Sequence, residues 1–247
     1  MSATAILRSI GDFCFPPVCK VCDEPADAAP LCAACLEKLR RLELSAACAR
    51  CALPIAEHGA PCPHCVGRGL RPFEQVLRLA AYADPIRPII HALKFHRAWG
   101  LGEFLADRAY AQPAVVGLLA SCDVIVPVPL HPLRQVERGY NQAEVIAGRL
   151  ARLSRRPVAR CAVRLVHTAA QTDVKSRAER VANLRRAFGL IDARAVYARR
   201  VVVVDDVRTT AATLRAFGRC LKRAAPASLD AVVIAATDPR HADFEKV

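Results

Sequence analysis

Residues 201–213 read Val-Val-Val-Val-Asp-Asp-Val-Arg-Thr-Thr-Ala-Ala-Thr, and they indicate the fold more strongly than any other stretch. Four consecutive β-branched valines predict a short strand that is buried on both faces of a parallel sheet. Asp205 and Asp206 close this strand, and the apolar spacing of Leu214, Phe217 and Leu221 predicts a helix after it. The sequence therefore predicts an α/β domain with a strand-to-helix turn at residues 209–213.

This turn has the chemistry of a phosphate site. The first backbone N–H groups of a helix have no partner within the helix and carry the positive end of its dipole. Asp205 and Asp206, beside them, suit sugar hydroxyls or a hard cation such as Mg²⁺. We therefore expect a phosphorylated sugar, with its phosphate held by Thr209, Thr210, Ala211, Ala212 and Thr213. In the simpler interpretation, the carboxylates only end a core strand and Thr209 or Thr210 caps the helix.

The charge of the chain is unevenly distributed. The 247 residues carry a net charge of +13, yet residues 1–70 are balanced, with seven basic and seven acidic side chains. Residues 134–200 hold 16 basic and 5 acidic side chains. A field of this sign attracts a pyrophosphate ligand, nucleic acid or both. The alternative is a solvated basic face without a ligand.

Composition also bears on the class and location of the protein. With 53% hydrophobic and 24% charged residues, the chain can bury a sizeable core. No segment approaches the roughly 20 apolar residues of a membrane helix, so we expect no membrane insertion. The N-terminus lacks the ordered regions of a signal peptide, and the cysteines have metal-ligand spacing. We therefore expect a cytoplasmic protein.

Eight cysteines near the N-terminus form four Cys-x-x-Cys pairs, separated by 9, 12 and 10 residues. Two such pairs supply four thiolates to one tetrahedral metal ion, so four pairs predict two structural Zn²⁺ sites. Both sequential and cross-braced pairing satisfy the spacing. Filled shells leave His58 and His64 without a role as ligands. The predicted ligands are Cys19, Cys22, Cys32, Cys35, Cys48, Cys51, Cys62 and Cys65.

We expect a zinc module at residues 1–70 and the α/β domain at residues 71–247, with the boundary near Gly67, Gly69 and Pro72. A second buried strand, at residues 122–128, precedes a loop that carries Arg138. Two strand ends can bracket a pyrophosphate, although Arg138 could simply be solvated. For Lys94, at the end of a predicted helix, solvation is the default expectation. Residues 167–188 predict a basic lid over the ligand.

The ordered motifs of this chain resemble those of the ComF family. These motifs are the zinc pairs, Leu-Lys-Phe at 93–95, Val-Pro-Val-Pro-Leu at 126–130, Arg-Gly-Tyr-Asn-Gln-Ala at 138–143, Asn-Leu-Arg-Arg-Ala-Phe at 183–188, and residues 204–210. Residues 201–213 resemble the phosphoribosyl-pyrophosphate loop of type I phosphoribosyltransferases. That loop usually has glycine where this chain has Ala211. If the position requires a positive φ, alanine costs on the order of 1 kcal/mol.

The resemblance implies a type I phosphoribosyltransferase fold and a link to competence, DNA uptake and single-stranded DNA. It assigns the ribose diol to Asp205 and Asp206, the 5′-phosphate to residues 209–213, and pyrophosphate to Arg138, with Arg177 acting from the lid. Mg²⁺ would accompany the phosphoribosyl pyrophosphate, and competence-machinery proteins are expected partners. Two other functions stay open: a single-stranded-DNA-binding adaptor with a sensory or vestigial sugar-phosphate site, and a structural scaffold.

Overall fold

The computed structural model describes residues 18–26, 30–166 and 187–237. Its N-terminal part consists of two short ribbons, at residues 19–35 and 48–65. Antiparallel bridges, Val18 with Pro25 and Ala47 with Pro54, bring the two arms of a knuckle together in each ribbon. Helix α1 (Ala33–Glu43) leads from the first ribbon to the second.

A parallel sheet forms the centre of the rest of the chain. The strands are β1 (Val76–Ala81), β2 (Val124–Pro127), β3 (Ala162–Arg164), β4 (Phe188–Leu190), β5 (Arg200–Arg208) and β6 (Ser228–Ala236). Four of them pair in the order β1-β6-β5-β2, and every pairing is parallel. Strands β3 and β4 form a separate antiparallel pair. The carboxyl ends of the four parallel strands therefore meet at one edge of the sheet.

Helices connect these strands. They are α2 (Ile86–Phe95), α3 (Trp99–Tyr110), α4 (Pro113–Ser121), α5 (Pro132–Arg138), α6 (Gln142–Ser154) and α7 (Ala212–Lys222). In the described ranges, no helix is both long and apolar enough to traverse a lipid bilayer. The observed α/β architecture with an N-terminal cysteine-rich module agrees with the predicted fold class.

The valines of β5 explain why this strand lies inside the sheet. Val202 and Val204 belong to one hydrophobic cluster, whereas Val201 and Val203 belong to another. All four are at most 1% exposed. Successive side chains of a strand point to opposite faces, so an uninterrupted valine run suits a strand that is covered on both sides.

The cysteine-rich module packs directly against the sheet. The backbone N–H of Val76 in β1 donates to the carbonyl of Ala49 at 2.8 Å. Arg78 donates through Nη2 to Ser45 Oγ at 3.0 Å, and Arg108 Nε donates to Glu43 Oε1 at 2.9 Å. Residues of both ribbons also enter the two hydrophobic clusters. The division between residues 70 and 71 stays a prediction.

Several element boundaries differ from the sequence expectation. Strand β5 does not close at the two aspartates but continues past them to Arg208. The loop expected around Arg138 contains the short helix α5, which begins at Pro132 because proline suits the first turn of a helix. Strand β3, only three residues long, pairs with β4 outside the main sheet.

Candidate phosphate site at the end of strand β5

Asp205 and Asp206 lie near the carboxyl end of β5, inside the strand. Asp205 is buried, with 9% of its surface exposed. Its Oδ1 accepts the backbone N–H of Asp206 at 2.9 Å, and Asp206 Oδ1 accepts that of Val207 at 2.7 Å. These contacts fix the two carboxylates at the edge where the parallel strands end.

The two carboxylates differ in acidity. Burial, together with the charge of Asp206, raises the pKa of Asp205 well above its usual range. Burial also opposes the ionisation of Asp206, but the Lys94 ammonium, the backbone N–H of Val207 and the charge of Arg138 together outweigh it and lower the pKa of Asp206. The pair thus combines one readily ionised carboxylate with one that resists ionisation.

Lys94 is an ion-pair partner of this site, and the expectation that it is solvated was wrong. Its Nζ lies 3.3 Å from Asp206 Oδ2, and only 11% of its side chain is exposed. The carbonyl of Leu93 accepts the hydroxyl of Tyr140 and the Nε2 amide of Gln142, the latter at 3.4 Å. These bonds tie the end of α2, and with it Lys94, to the segment around α6.

Arg138 reaches the same site from the end of α5. Its guanidinium lies over the ring of Phe95, 5.4 Å from the centroid, and its Nη1 donates to Gln142 Oε1 at 3.1 Å. Burial lowers the pKa of Arg138, whereas the nearby charge of Asp206 raises it. The structure therefore brings Arg138 close to the second aspartate, in a position held by stacking and hydrogen bonding.

Arg164 of β3 supplies a further cation, which sequence reasoning missed. Its guanidinium lies 5.7 Å from the ring centroid of Phe188. Burial lowers the pKa of Arg164, the Asp205 carboxylate raises it, and the charges of Arg134 and Arg138 lower it. Lys94, Arg134, Arg138 and Arg164 together give this strand end more positive than negative charge, which favours an anionic ligand.

The loop after β5 contains the residue for which the sequence left a positive φ open. Ala211 is buried and adopts φ +60° and ψ 14°, in the left-handed region. It occupies the N-cap position of α7, so neither threonine is the N-cap residue. Thr210 Oγ1 instead accepts a long bond of 3.4 Å from the Ala212 N–H. The loop thus ends at the first turn of a helix, whose N–H groups have no acceptor within the helix itself.

The structure unites part of the predicted site. Asp205, Asp206 and Arg138 come together, and residues 209–213 follow directly along the chain. Arg177, predicted to act from the lid, lies outside the described residues, as do positions 167–186 in general. The Leu-Lys-Phe motif pointed to Lys94, but its pairing with Asp206 depends on how α2 packs beside β5.

The cysteines form two separate clusters. One comprises Cys19, Cys22, Cys32 and Cys35, and the other comprises Cys48, Cys51, Cys62 and Cys65. Within each cluster the sulfur atoms lie within 4.8 Å of one another, and close pairs such as Cys51 and Cys62 are 3.6 Å apart. A tetrahedron with Zn–S bonds of about 2.3 Å has sulfur atoms about 3.8 Å apart. The clusters therefore fit two structural Zn²⁺ ions, and the pairing is sequential.

Comparison with known proteins agrees with this arrangement. Residues 10–66 match the family model of the double zinc ribbon domain. "DNA utilization protein YhgH" of Escherichia coli (strain K12) is 34% identical over 181 residues, which cover 71% of this chain and 78% of that protein. The chain belongs to the ComF family. "Competence protein F" of Haemophilus influenzae is 28% identical over 198 residues, which cover 78% of this ComF-family chain and 84% of that protein.

Solved structures with lower similarity are phosphoribosyltransferases. The glutamine phosphoribosylpyrophosphate amidotransferase of B. subtilis is 19% identical, with a TM-score of 0.35, and covers 55% of the ComF-family chain and 25% of the enzyme. Orotate phosphoribosyltransferase from Aeropyrum pernix is 17% identical, with a TM-score of 0.32. The match covers 63% of the ComF-family chain and 66% of that enzyme.

Proposed function

We propose that the carboxyl end of β5 binds phosphoribosyl pyrophosphate with Mg²⁺ and supports phosphoribosyl transfer in a role linked to DNA uptake. The observation that carries the proposal is the joint position of two strand-end aspartates and a left-handed loop that opens α7. In this proposal Asp205 and Asp206 hold the ribose diol, and residues 209–213 hold the 5′-phosphate.

The cations around the aspartates support the second half of the proposal. Transfer from phosphoribosyl pyrophosphate passes through a cationic ribose while pyrophosphate departs, so positive groups near the leaving phosphates stabilise the transition state. Arg138 would meet the pyrophosphate, with Arg177 acting from the lid. Lys94, now paired with Asp206, can exchange this partner for a phosphate oxygen. When bound, Mg²⁺ would neutralise charge on the pyrophosphate, and the oxygen-rich aspartate pair suits such an ion.

Calorimetry tests the ligand assignment. Phosphoribosyl pyrophosphate titrated with Mg²⁺ should bind the unaltered chain, and the Asp205→Asn/Asp206→Asn variant should lose this binding. Asp107→Asn is a matched control, because Asp107 on α3 is a partly exposed carboxylate that forms an ion pair with Arg149 of α6. Equal affinity in the double variant would refute the assignment. Pyrophosphate release, screened against candidate acceptors, then separates a transferase from a binding protein.

A second candidate function is a single-stranded-DNA-binding adaptor. A cavity of about 600 Å³ is lined by Arg97, Trp99, Arg152 and Arg160, among others, and Trp99 is 59% exposed. An exposed indole beside guanidinium groups suits base stacking and backbone phosphates. Two of these arginines are engaged in ion pairs, Arg152 with Glu103 and Arg160 with Glu144.

Salt dependence tests the adaptor function. Binding of a fluorescent single-stranded oligonucleotide should weaken steeply as the salt concentration rises. Trp99→Ala should weaken binding at every salt concentration while leaving the salt slope unchanged, because stacking releases no counterions. Tyr197→Ala is a control, since Tyr197 is 65% exposed outside this cavity. Absence of binding at low salt would eliminate this function.

The proposal includes a cellular context. Similar proteins carry the names DNA utilization protein and competence protein, and we infer that this chain acts in the cytoplasm with proteins of the competence machinery. Two thiolate zinc shells suit a reducing compartment. Co-purification from competent cells, compared with non-competent cells, tests this partnership.

A further inference from the structure

A second cluster of arginines lies between the second ribbon, α7 and the end of β5. It surrounds a cavity of about 320 Å³ that is lined on one side by ribbon residues including His64 and Arg68, and on the other by Arg208 and Arg215. Neither Asp205, Asp206 nor residues 209–213 line this cavity. Its volume is at the small end of the range for ligand pockets, about 300–1,000 Å³.

Arg208 is the buried side chain of this cavity. Only 7% of its surface is exposed, and its Nη1 donates to the Thr209 carbonyl at 3.0 Å. Its Nε is buried and has no hydrogen-bond partner, whether oxygen, nitrogen or sulfur, within the part of the chain that the structure describes. A guanidinium without access to water normally satisfies its N–H groups, so this Nε–H is a donor that lacks its acceptor.

A second polar atom of the cavity lacks a partner. The Nε2 atom of His64 is also buried without a hydrogen bond among the described residues. Arg68 and Arg215, which are exposed, line the same cavity, and no carboxylate is among the described residues that do so. Two unpartnered buried nitrogens and three guanidinium groups therefore converge on one small space.

The neighbouring zinc cluster does not account for these donors. Cys51 and Cys65 line the cavity, and a Zn²⁺ ion with four thiolates carries a formal charge of −2. Three arginines exceed this charge by one. Arg208 does interact with the charges of Cys51, Cys62 and Cys65, but among the described residues its Nε–H makes no hydrogen bond to any of them.

We propose that this cleft is a second anion site, which binds one phosphate group. Arg208 Nε and the guanidinium groups of Arg68 and Arg215 donate to its oxygens, as charge-assisted bonds to phosphate do. The phosphate is either free inorganic phosphate or the terminal phosphate of a phosphomonoester. The site is separate from the proposed phosphoribosyl pyrophosphate site, because the two share no lining residue.

Calorimetry with inorganic phosphate tests the site on the full-length, zinc-loaded chain at constant ionic strength. Arg215→Gln and Arg68→Gln should each weaken phosphate binding by about tenfold or more, since each removes a charged hydrogen bond. The two variants change opposite walls of the cleft and concern exposed side chains, so folding is retained. Arg208→Gln should abolish binding, and its circular dichroism spectrum reports whether it folds.

Arg219→Gln is the matched control. Arg219 is an exposed arginine on α7, the helix that also carries Arg215, but it lines a different cavity with Phe188 and Cys220. This variant, and Asp205→Asn/Asp206→Asn, should keep the Arg215-dependent binding, so failure of the proposed phosphoribosyl function leaves this result unchanged. Equal phosphate affinity in Arg215→Gln, Arg68→Gln and the unaltered chain would overturn the proposal.

Oligonucleotides with and without a 5′-phosphate distinguish the sources of the phosphate. If a terminal phosphate is the natural occupant, the 5′-phosphorylated oligonucleotide should compete with inorganic phosphate, and the 5′-hydroxyl oligonucleotide should not. If neither oligonucleotide competes, the occupant is free inorganic phosphate. In that case, the Arg215-dependent binding of inorganic phosphate supports the proposed site.

Discussion

Ala211 adopts a backbone conformation that its own Cβ disfavours. Its φ of +60° lies in the left-handed region, where a Cβ costs about 1–2 kcal/mol relative to glycine. The position is also buried between the strand that carries the aspartates and the first turn of α7. The loop therefore retains its shape because the sheet and the helix hold both of its ends.

Ala211→Gly should stabilise the protein. Relief of the left-handed strain exceeds the entropy that glycine adds to the unfolded chain, about 0.4–1 kcal/mol, so the free energy of unfolding should rise by about 0.5–1 kcal/mol. Urea denaturation measures the change. Ala216→Gly, inside α7, is the control and should lower stability by about 1 kcal/mol. A loss of stability in Ala211→Gly would contradict the strain at this position.

Asp205 and Asp206 should respond to pH in opposite directions. Asp205 has a raised pKa in the folded chain, so its contribution to stability is complete below about pH 4 and is lost as the pH rises through the folded pKa. Asp206 has a lowered pKa, so its contribution is present at neutral pH and is lost as the pH falls through the folded pKa.

The two single variants should therefore differ in sign at pH 7. Asp205→Asn should raise the free energy of unfolding, because it removes a carboxylate that burial disfavours. Asp206→Asn should lower it by about 2 kcal/mol, because it leaves Lys94 without its charged partner. Thermal unfolding at pH 7 measures both. Equal effects of the two substitutions would show that the carboxylates share one environment.

The helices show which elements local sequence can specify. Helices α2 and α7 were both expected from the sequence, and the apolar periodicity of α7 marks the face that it buries. Helices α4 and α5 were not predicted, although each begins at a proline, Pro113 and Pro132, a residue that suits the first turn of a helix. The length of β5 and the pairing of β3 with β4 depend on distant partners, so the local pattern could not fix them.

The candidate site also combines residues that local sequence predicts with residues that only tertiary packing brings together. Asp205 and Asp206 were predictable because chain order alone places them at the end of a buried strand. The approach of Lys94 and Arg164 depends on the packing of α2 and β3 beside β5, and no local pattern encodes this packing. Motif order did indicate Lys94, without indicating its partner.

Helix α7 depends on glycine at one position of its buried face. A Cβ on Gly218 would lie 2.8 Å from Pro72 Cγ and 2.9 Å from Phe73 Cε2. Gly218→Ala should therefore destabilise the protein by about 1–2 kcal/mol net, since overpacking outweighs the gain in helix propensity. Gly148→Ala on α6 is the control, because a Cβ there meets nothing within 4 Å. Its stability should rise by about 1 kcal/mol, and equal shifts in the two variants would refute the packing argument.

At the scale of the whole molecule, the cysteine-rich module helps to stabilise the sheet. Glu43, Ser45 and Ala49 all bond to residues of the α/β domain, and both ribbons contribute to its hydrophobic clusters. Metal binding supplies most of the folding energy of such small modules. We expect zinc removal by a chelator to lower the melting temperature of the entire chain, not only to unfold residues 18–65.

The sequential pairing of cysteines predicts the metal content of variants. The unaltered chain should hold about two Zn²⁺ ions, and Cys48→Ser/Cys51→Ser should hold about one, because the first cluster keeps its four thiolates. Atomic absorption measures both values. Cys122→Ser is the control, since Cys122 is buried outside both clusters, and it should keep two ions. Loss of both ions from the double variant would indicate ligands shared between the sites.

The borders of the sheet bear on how copies of this chain can meet. On the β1 side, Val76 bonds to Ala49 and the Leu79 carbonyl accepts from Gln112 Nε2 at 2.9 Å. On the β2 side, Ile125 exchanges bonds of 2.9 Å with Pro157 and Ala159. Backbone groups on both edge strands, β1 and β2, are thus already hydrogen-bonded within the same chain, which disfavours aggregation by strand pairing between molecules. Many copies of this protein can therefore be present in a crowded cell without their sheets joining edge to edge.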